Sequence, residues 1–342
     1  MKKNVSFLIR AVLFVALLAL ILAPLQTLFA RKSLTTPFDM TNKIGGFFNE
    51  AEHEFEVMFF GSSHAYAAVS PLAIWDETGV KSYVLATQQQ PLWATCTYLE
   101  EALKSQSPAL VVLEVNMATV DQESFDEGVT YSYMDELPLS WNKVRLAWRS
   151  AEDMEGRVEL LFNFVKYHSR WDKLIMADIT FDRDSLRDPY KGFVLLPDKE
   201  EERERPDLTH ATGYAELLEK NEYWLRKIIQ LCEEKGIELW LIKSPSNLLA
   251  EDKEQLNTVE RLAEEYGLVF RDFNEDYEAI GLSGERFFDK NHLDGLGADR
   301  FSRYLAQWMV ELRPELAADP DNEAWAEDYA AYAAALSGFE TE

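Results

Sequence analysis

Two short segments near opposite ends of the chain bring together residue types suited to acyl chemistry. Near the start, Gly61-Ser62-Ser63-His64 directly follows the apolar run 55–60. A glycine there permits a tight turn, and the serine after it projects at a helix start, where backbone N–H groups can stabilise developing negative charge. Taken alone, this is equally the pattern of an ordinary helix N-cap. Near the other end, Phe287-Phe-Asp289-Lys-Asn-His292-Leu-Asp294-Gly-Leu-Gly297 sets a carboxylate three residues before an imidazole. One turn lets Asp289 reach Nδ1 of His292 and fix its tautomer, so that the ring acts as base toward a serine. In isolation this stretch also reads as a capping loop with a solvent-exposed histidine.

These residues need a scaffold. Apolar, β-rich runs at 55–60, 82–86, 109–115, 237–242 and from Val269 predict five strands. The third run is nearly all apolar, as a parallel strand covered on both faces must be. Helical spacing predicts helices over 92–104, 160–167, 214–235, 253–266 and 298–311, with Gly236 and Gly267 ending two of them. Alternating strands and helices imply an α/β fold, a three-layer flavodoxin-like parallel sheet. In such sheets the reacting groups gather at the carboxyl ends of the strands, where Ser63 falls. Residues 119–210 break the alternation and predict a helical insertion over the sheet's edge, with a solvated charge run at 198–205. Residues 317–342 read as an acidic, alanine-rich C-terminal tail, a loose helix with no readable function.

The N-terminus is of another kind. Lys2, Lys3 and Arg10 precede an apolar run over 11–30, and Arg31-Lys32 closes it. A run of about 20 residues spans a bilayer core of about 30 Å. Residues 1–32 therefore predict a transmembrane signal anchor, followed by a juxtamembrane linker over 33–54 and the main domain over 55–316. A cleaved signal peptide is the competing reading, although Leu28 is poorly suited to a cleavage site ending at Ala30. Three basic side chains before the helix against two after it favour a single-pass topology with an extracytoplasmic C-terminal domain. Beyond residue 32 the chain holds 29 basic against 60 acidic side chains. That acidity excludes nucleic acid as a partner, which requires a basic face. Cys96 and Cys232 fall in apolar helical segments and read as buried free thiols. No Cys/His spacing suggests a metal site, and no cofactor motif is present.

Taken together, Gly61-Ser62-Ser63 and Asp289-Lys-Asn-His292 resemble the SGNH/GDSL hydrolase superfamily. There a strand-end serine near the start is the nucleophile, and Asp-x-x-His near the end supplies acid and base. Within it the layout resembles membrane-anchored proteins of bacterial cell-envelope acylation, such as the D-alanyl transfer protein of teichoic acid synthesis and the alginate O-acetylation proteins. The resemblance covers 55–116 and 237–312 and leaves the insertion outside it. It implies a triad of Ser63, Asp289 and His292, with an oxyanion hole from the Ser63 N–H, Gln89 and Asn116. Gln89 stands where the superfamily has glycine, and Glu114-Val-Asn116-Met is a reduced form of its third block.

The implied activity is that of an esterase or O-acyltransferase on a cell-envelope carbohydrate or acylated polymer, with a membrane acyltransferase as partner. The alternative is a non-catalytic scaffold of polymer assembly that keeps the fold without the chemistry. His64 is expected to pack or line the pocket, and His168 to make a contact within the insertion. Lys191, Gly192 and Lys243 are candidates for the cleft wall, while His53 and His210 read as surface residues.

Overall fold

The computed structural model describes residues 2–32, 38, 40–197, 207–282 and 286–339. In chain order the first elements are α1 (Lys2–Phe29), α2 (Met40–Phe47), β1 (Val57–Gly61), α3 (Ser63–Tyr66), α4 (Pro71–Thr78), β2 (Ser82–Ala86), α5 (Leu92–Ala102) and β3 (Leu110–Glu114). The insertion follows with α6 (Glu127–Met134), α7 (Trp141–Ser150), α8 (Met154–Leu161), α9 (Asn163–Tyr167) and α10 (Met176–Ile179). The chain then forms α11 (Glu219–Lys235), β4 (Glu238–Lys243), α12 (Ala250–Tyr266), β5 (Val269–Asp272), α13 (Tyr277–Ile280), α14 (Gly295–Leu312) and α15 (Glu323–Phe339).

The five strands form one parallel sheet in the order β2-β1-β3-β4-β5. This is the flavodoxin-like order, and its switch point lies between β1 and β3. Every residue of β1, β2 and β3 is buried, as their unbroken apolar character requires of strands covered on both faces. Helices α4, α14 and α15 pack together as one layer; α5 and α11 pack together in the other, where Arg226 of α11 pairs with Glu265 of α12. An aromatic lock fixes α14 on the sheet: Trp240 of β4 meets Trp308 at 4.9 Å, and Phe273 after β5 meets Phe301 at 5.1 Å. Each such ring contributes about 1.5–3 kcal/mol by burial. The Ser302 hydroxyl accepts from the Ser70 N–H (2.7 Å) and donates to the Ala68 carbonyl (3.1 Å). The loop bearing His292 is thereby referenced to the segment that follows Ser63.

Some elements depart from the sequence reading. Part of the stretch read as a linker is α2, whose Lys43, Ile44 and Phe47 are buried. Lys43 donates to the Phe193 carbonyl at 2.6 Å, and its own carbonyl accepts from the Tyr83 hydroxyl at 2.6 Å. The stretch read as an acidic tail contains α15, whose Trp325, Asp328 and Tyr332 are buried against the domain. Helix α11 starts at Glu219 rather than Tyr214, because Ala215 donates its N–H to the Glu254 carbonyl at 3.1 Å and holds that stretch against α12. The helix read over 160–167 is broken at Phe162, which is extended between α8 and α9.

Residues 119–197 are helical with no strand among those described, and their end covers the sheet's edge. The Val84 N–H donates to the Lys191 carbonyl at 2.9 Å, which caps an otherwise open edge strand. Gly192, at φ 91, is required there: a Cβ would stand 1.8 Å from the Val84 carbonyl oxygen. The charge run at 198–205 lies outside the described residues. Cys96 and Cys232 are buried free thiols, and burial pushes both up to about 12.

Candidate active site

The turn out of β1 sets up the serine. Gly61 has φ 155, and a Cβ on it would come within 2.9 Å of the Ala65 Cβ and 3.0 Å of the Glu114 Cβ. Ser62 is extended, and its carbonyl accepts from the Ala65 and Tyr66 N–H groups, which closes the single turn of α3. Ser63 opens that turn and is buried. One turn of helix carries little dipole, so the N-terminal field expected from the sequence is small. Burial raises the Tyr66 phenol far above its ordinary range, a hydrogen bond with the Ser63 side chain opposes this, and the Asp289 charge adds to it. Tyr66 thus senses both the serine and the aspartate.

The second segment holds its histidine as its spacing predicts. Asp289 Oδ1 and Oδ2 each lie 2.9 Å from His292 Nδ1. Oδ1 also accepts from the backbone N–H groups of Asn291 (2.8 Å) and His292 (3.0 Å). Burial works to raise the Asp289 carboxyl, but these hydrogen bonds and the His292 charge outweigh it and hold it down to about 2. Asp289 is therefore a carboxylate at every physiological pH. With Nδ1 committed, His292 Nε2 is buried without a hydrogen-bond partner among the described residues. Next along the chain, Asp294 caps α14 by accepting from the Gly297 N–H at 2.6 Å, so the histidine loop runs straight into a helix anchored on the sheet.

Beneath these groups lies a buried charged network. Lys243, at the end of β4, is fully buried, and its Nζ has three acceptors at 3.2 Å: Glu114 Oε1, the Ser244 carbonyl and His64 Nδ1. An ammonium has three donors and no acceptor, so all three are used. His64 must accept at Nδ1 and carries its proton on Nε2. Burial, then the Lys243 charge, then His292 drive the His64 ring well below 6.5, so it stays neutral. Its ring centre lies 5.3 Å from that of His292. Glu114 is further satisfied by the Ser244 hydroxyl (3.2 Å) and the Asn116 N–H (3.1 Å).

Two cavities border this cluster. One, of about 570 Å³, is lined by His64, Asn116, Thr119, Asp121, Gln255 and Asn291, among others. Asn116 opens a short 3-10 turn on its wall. The other, of about 340 Å³, is lined by Arg31, Phe38, Tyr66, Gln88, Tyr131 and Tyr167, with others. Gln88 lines this wall, and Gln89 beside it is exposed as Gln88 is. Gln89 nonetheless adopts φ 44, the left-handed backbone that a glycine would take without strain.

Ser63, His64, Asp289 and His292 thus gather at the carboxyl end of the sheet, with Asn116 on the adjoining wall. Lys243 lies beneath them against His64, and the remaining candidates do not join them. Lys191 is buried but paired with Glu50 at 2.8 Å near the edge strand. His168 is exposed, with Nδ1 2.6 Å from the Val165 carbonyl, and His53 and His210 are exposed. The Glu114–Lys243 pair was the site feature least developed by sequence reasoning. Its signal was one charge ending each of two apolar strands, Leu-Val-Val-Leu-Glu114 and Glu-Leu-Trp-Leu-Ile-Lys243.

No family model and no curated protein matches this chain. Among solved structures it is similar to a protein assigned to the G-D-S-L lipolytic family from Desulfitobacterium hafniense DCB-2, at 9% identity, TM-score 0.38, over 73% of this chain and 97% of that one. It is also similar to a protein assigned as an acylhydrolase from Bacteroides fragilis NCTC 9343, at 12% identity and TM-score 0.36, over 75% and 86% of the two chains. A variant of an acetyl-xylooligosaccharide esterase from Geobacillus stearmophilus gives 12% identity and TM-score 0.36, over 75% and 94%. At this level of likeness chemistry does not transfer, and the reading below rests on the site's own geometry.

Proposed function

We propose that this chain is a serine esterase or O-acyltransferase, anchored in the cell membrane by α1 and acting outside the cytoplasm on acyl esters of a cell-envelope polysaccharide or related polymer. The observation that carries the reading is His292: Nδ1 is held by an ionised Asp289, while Nε2 is buried and unpartnered beside the serine-bearing turn. In the reaction, Ser63 gives its proton to Nε2 of His292 and attacks the ester carbonyl. The Ser63 N–H and the Asn116 amide stabilise the oxyanion. His292 then protonates the departing alcohol, which leaves an acyl-serine. Water resolves it in an esterase, and a sugar hydroxyl resolves it in a transferase fed by a membrane acyltransferase partner. No step calls for a metal or cofactor.

A non-catalytic scaffold is the second reading, and the lack of a glycine at Gln89 and the reduced block Glu114-Val-Asn116-Met favour it. Labelling the full chain with a fluorophosphonate and mapping the adduct separates the two. Catalysis predicts modification of Ser63, lost in His292→Ala; an unlabelled wild type sinks the enzyme reading. Turnover of an aryl acetate should drop by about 10³-fold or more in Ser63→Ala or His292→Ala, with the double variant hardly worse than either. Asp289→Asn should be milder, because the base survives but is misoriented.

A further inference from the structure

Between Val5 and Pro24 the described side chains of α1 are exposed, with Ala11 and Leu22 partly so. That length of helix is about 30 Å, the thickness of a bilayer's hydrocarbon core. From Leu25 onward the helix is covered, and what covers it is the insertion. The Gln26 amide donates to the Leu161 carbonyl at 3.1 Å and accepts from the Phe164 N–H at 3.0 Å. Arg170 donates to the Phe29 (2.9 Å) and Ala30 (2.6 Å) carbonyls, and Lys32 pairs with Asp178 at 3.0 Å. The segment 161–179 is therefore pinned at the level where the exposed apolar length ends.

At that level four large apolar side chains point to solvent: Trp171, Ile175, Met176 and Ile179, each between 63% and 72% exposed. They lie within nine residues of one another, around α10, which touches α1 directly. An exposed apolar patch that includes a tryptophan, at the level where the exposed apolar length of α1 ends, suits the interface of a bilayer, where tryptophan is favoured.

We propose that residues 171–179 are a bilayer seat: Trp171, Ile175, Met176 and Ile179 enter the headgroup–acyl boundary beside the outer end of α1 and lay the domain on the membrane. The proposal rests on the membrane-anchored reading above and adds the orientation of the domain. The cavity lined by Arg31 and Tyr66 then opens at the height of the lipid surface.

The test uses the full chain in vesicles of phosphatidylcholine and phosphatidylglycerol with bromines placed on the upper acyl chains. A bimane fluorophore is attached at Met176→Cys, at Ile179→Cys or, as reference, at Leu312→Cys. Leu312 is exposed and adjoins Arg313, which pairs with Glu238 at the amino end of β4, the opposite pole of the sheet. The native thiols are buried and resist labelling. An interfacial helix buries its apolar face about 5–10 Å, so the labels at 176 and 179 should be quenched at least about threefold more than that at 312. Equal quenching at all three overturns the seat, as does failure of the protein to float with the vesicles. A 176 label that is shielded from bromolipid but cross-links to another chain assigns the patch to a protein partner instead. Quenching is read without turnover: an inactive but quenched protein removes the esterase reading alone, and an active, unquenched one removes the seat alone.

Discussion

His64 carries more of the site's electrostatics than its place beside the serine suggests. In the folded protein burial, Lys243 and His292 hold it neutral well below 6.5, whereas in the unfolded chain it titrates near that value. Its folded pKa is depressed, so the stability it confers is complete above about pH 6.5 and is lost as the pH falls below it. Melting curves between about pH 7 and 5 should therefore fall more steeply for wild type than for His64→Gln. Parallel curves would mean that the ring titrates as an exposed histidine does. Asp289 acts over another range: held down to about 2 against an ordinary 3.8, its contribution is intact at neutral pH and disappears only as the pH drops from about 4 toward 2.

At the scale of elements, β3 and β4 each end in the charge that supports the site, and their parallel register puts Glu114 opposite Ile242, one residue before Lys243. Both charges are almost wholly buried, so losing one partner strands the other. Lys243→Met should cost about 3–5 kcal/mol in denaturant titration, and the double variant with Glu114→Gln should recover much of it. Additive losses would show that the two act separately. Helix α15 offers a second case. Trp325→Ala should cost about 3–5 kcal/mol, because Trp325 is buried against Trp75 at 6.0 Å and Phe55 at 6.5 Å. A change under about 1 kcal/mol would return α15 to the status of a tail.

These elements also show what a sequence makes legible. The strands were plain because full burial demands unbroken apolar runs, and Asp289 with His292 was plain because their contact is local. The docking of α15 was obscure because its anchors, Trp325, Asp328 and Tyr332, sit at helical spacing among alanines that signal nothing. Helix α2 was obscure because its eight residues include two glycines and a lysine whose partners, Phe193 and Asp188, lie more than 140 residues on. The Lys243–His64 contact was beyond reach for the same reason, since 179 residues separate the two.

On the scale of the whole molecule, α1 is joined to the rest twice. One joint is the chain itself, through residues 33–39. The other is the clasp of Gln26, Phe29, Ala30 and Lys32 with residues 161–178, in which Lys32 also donates to the Thr27, Leu28 and Ala30 carbonyls and so ties off the helix end. Severing the first joint leaves the second. A site-specific protease site placed within 33–37 should yield two fragments on a denaturing gel that still sediment together with the membrane at neutral pH and moderate salt. Arg170→Ala combined with Asp178→Ala should let the large fragment separate from α1 after the same cut, read as its failure to co-purify with α1 in mild detergent. If the cut alone sheds it, the clasp is too weak to matter. If the clasp holds, parting this domain from its anchor helix needs two events, a broken peptide bond and a broken set of hydrogen bonds, and neither alone suffices.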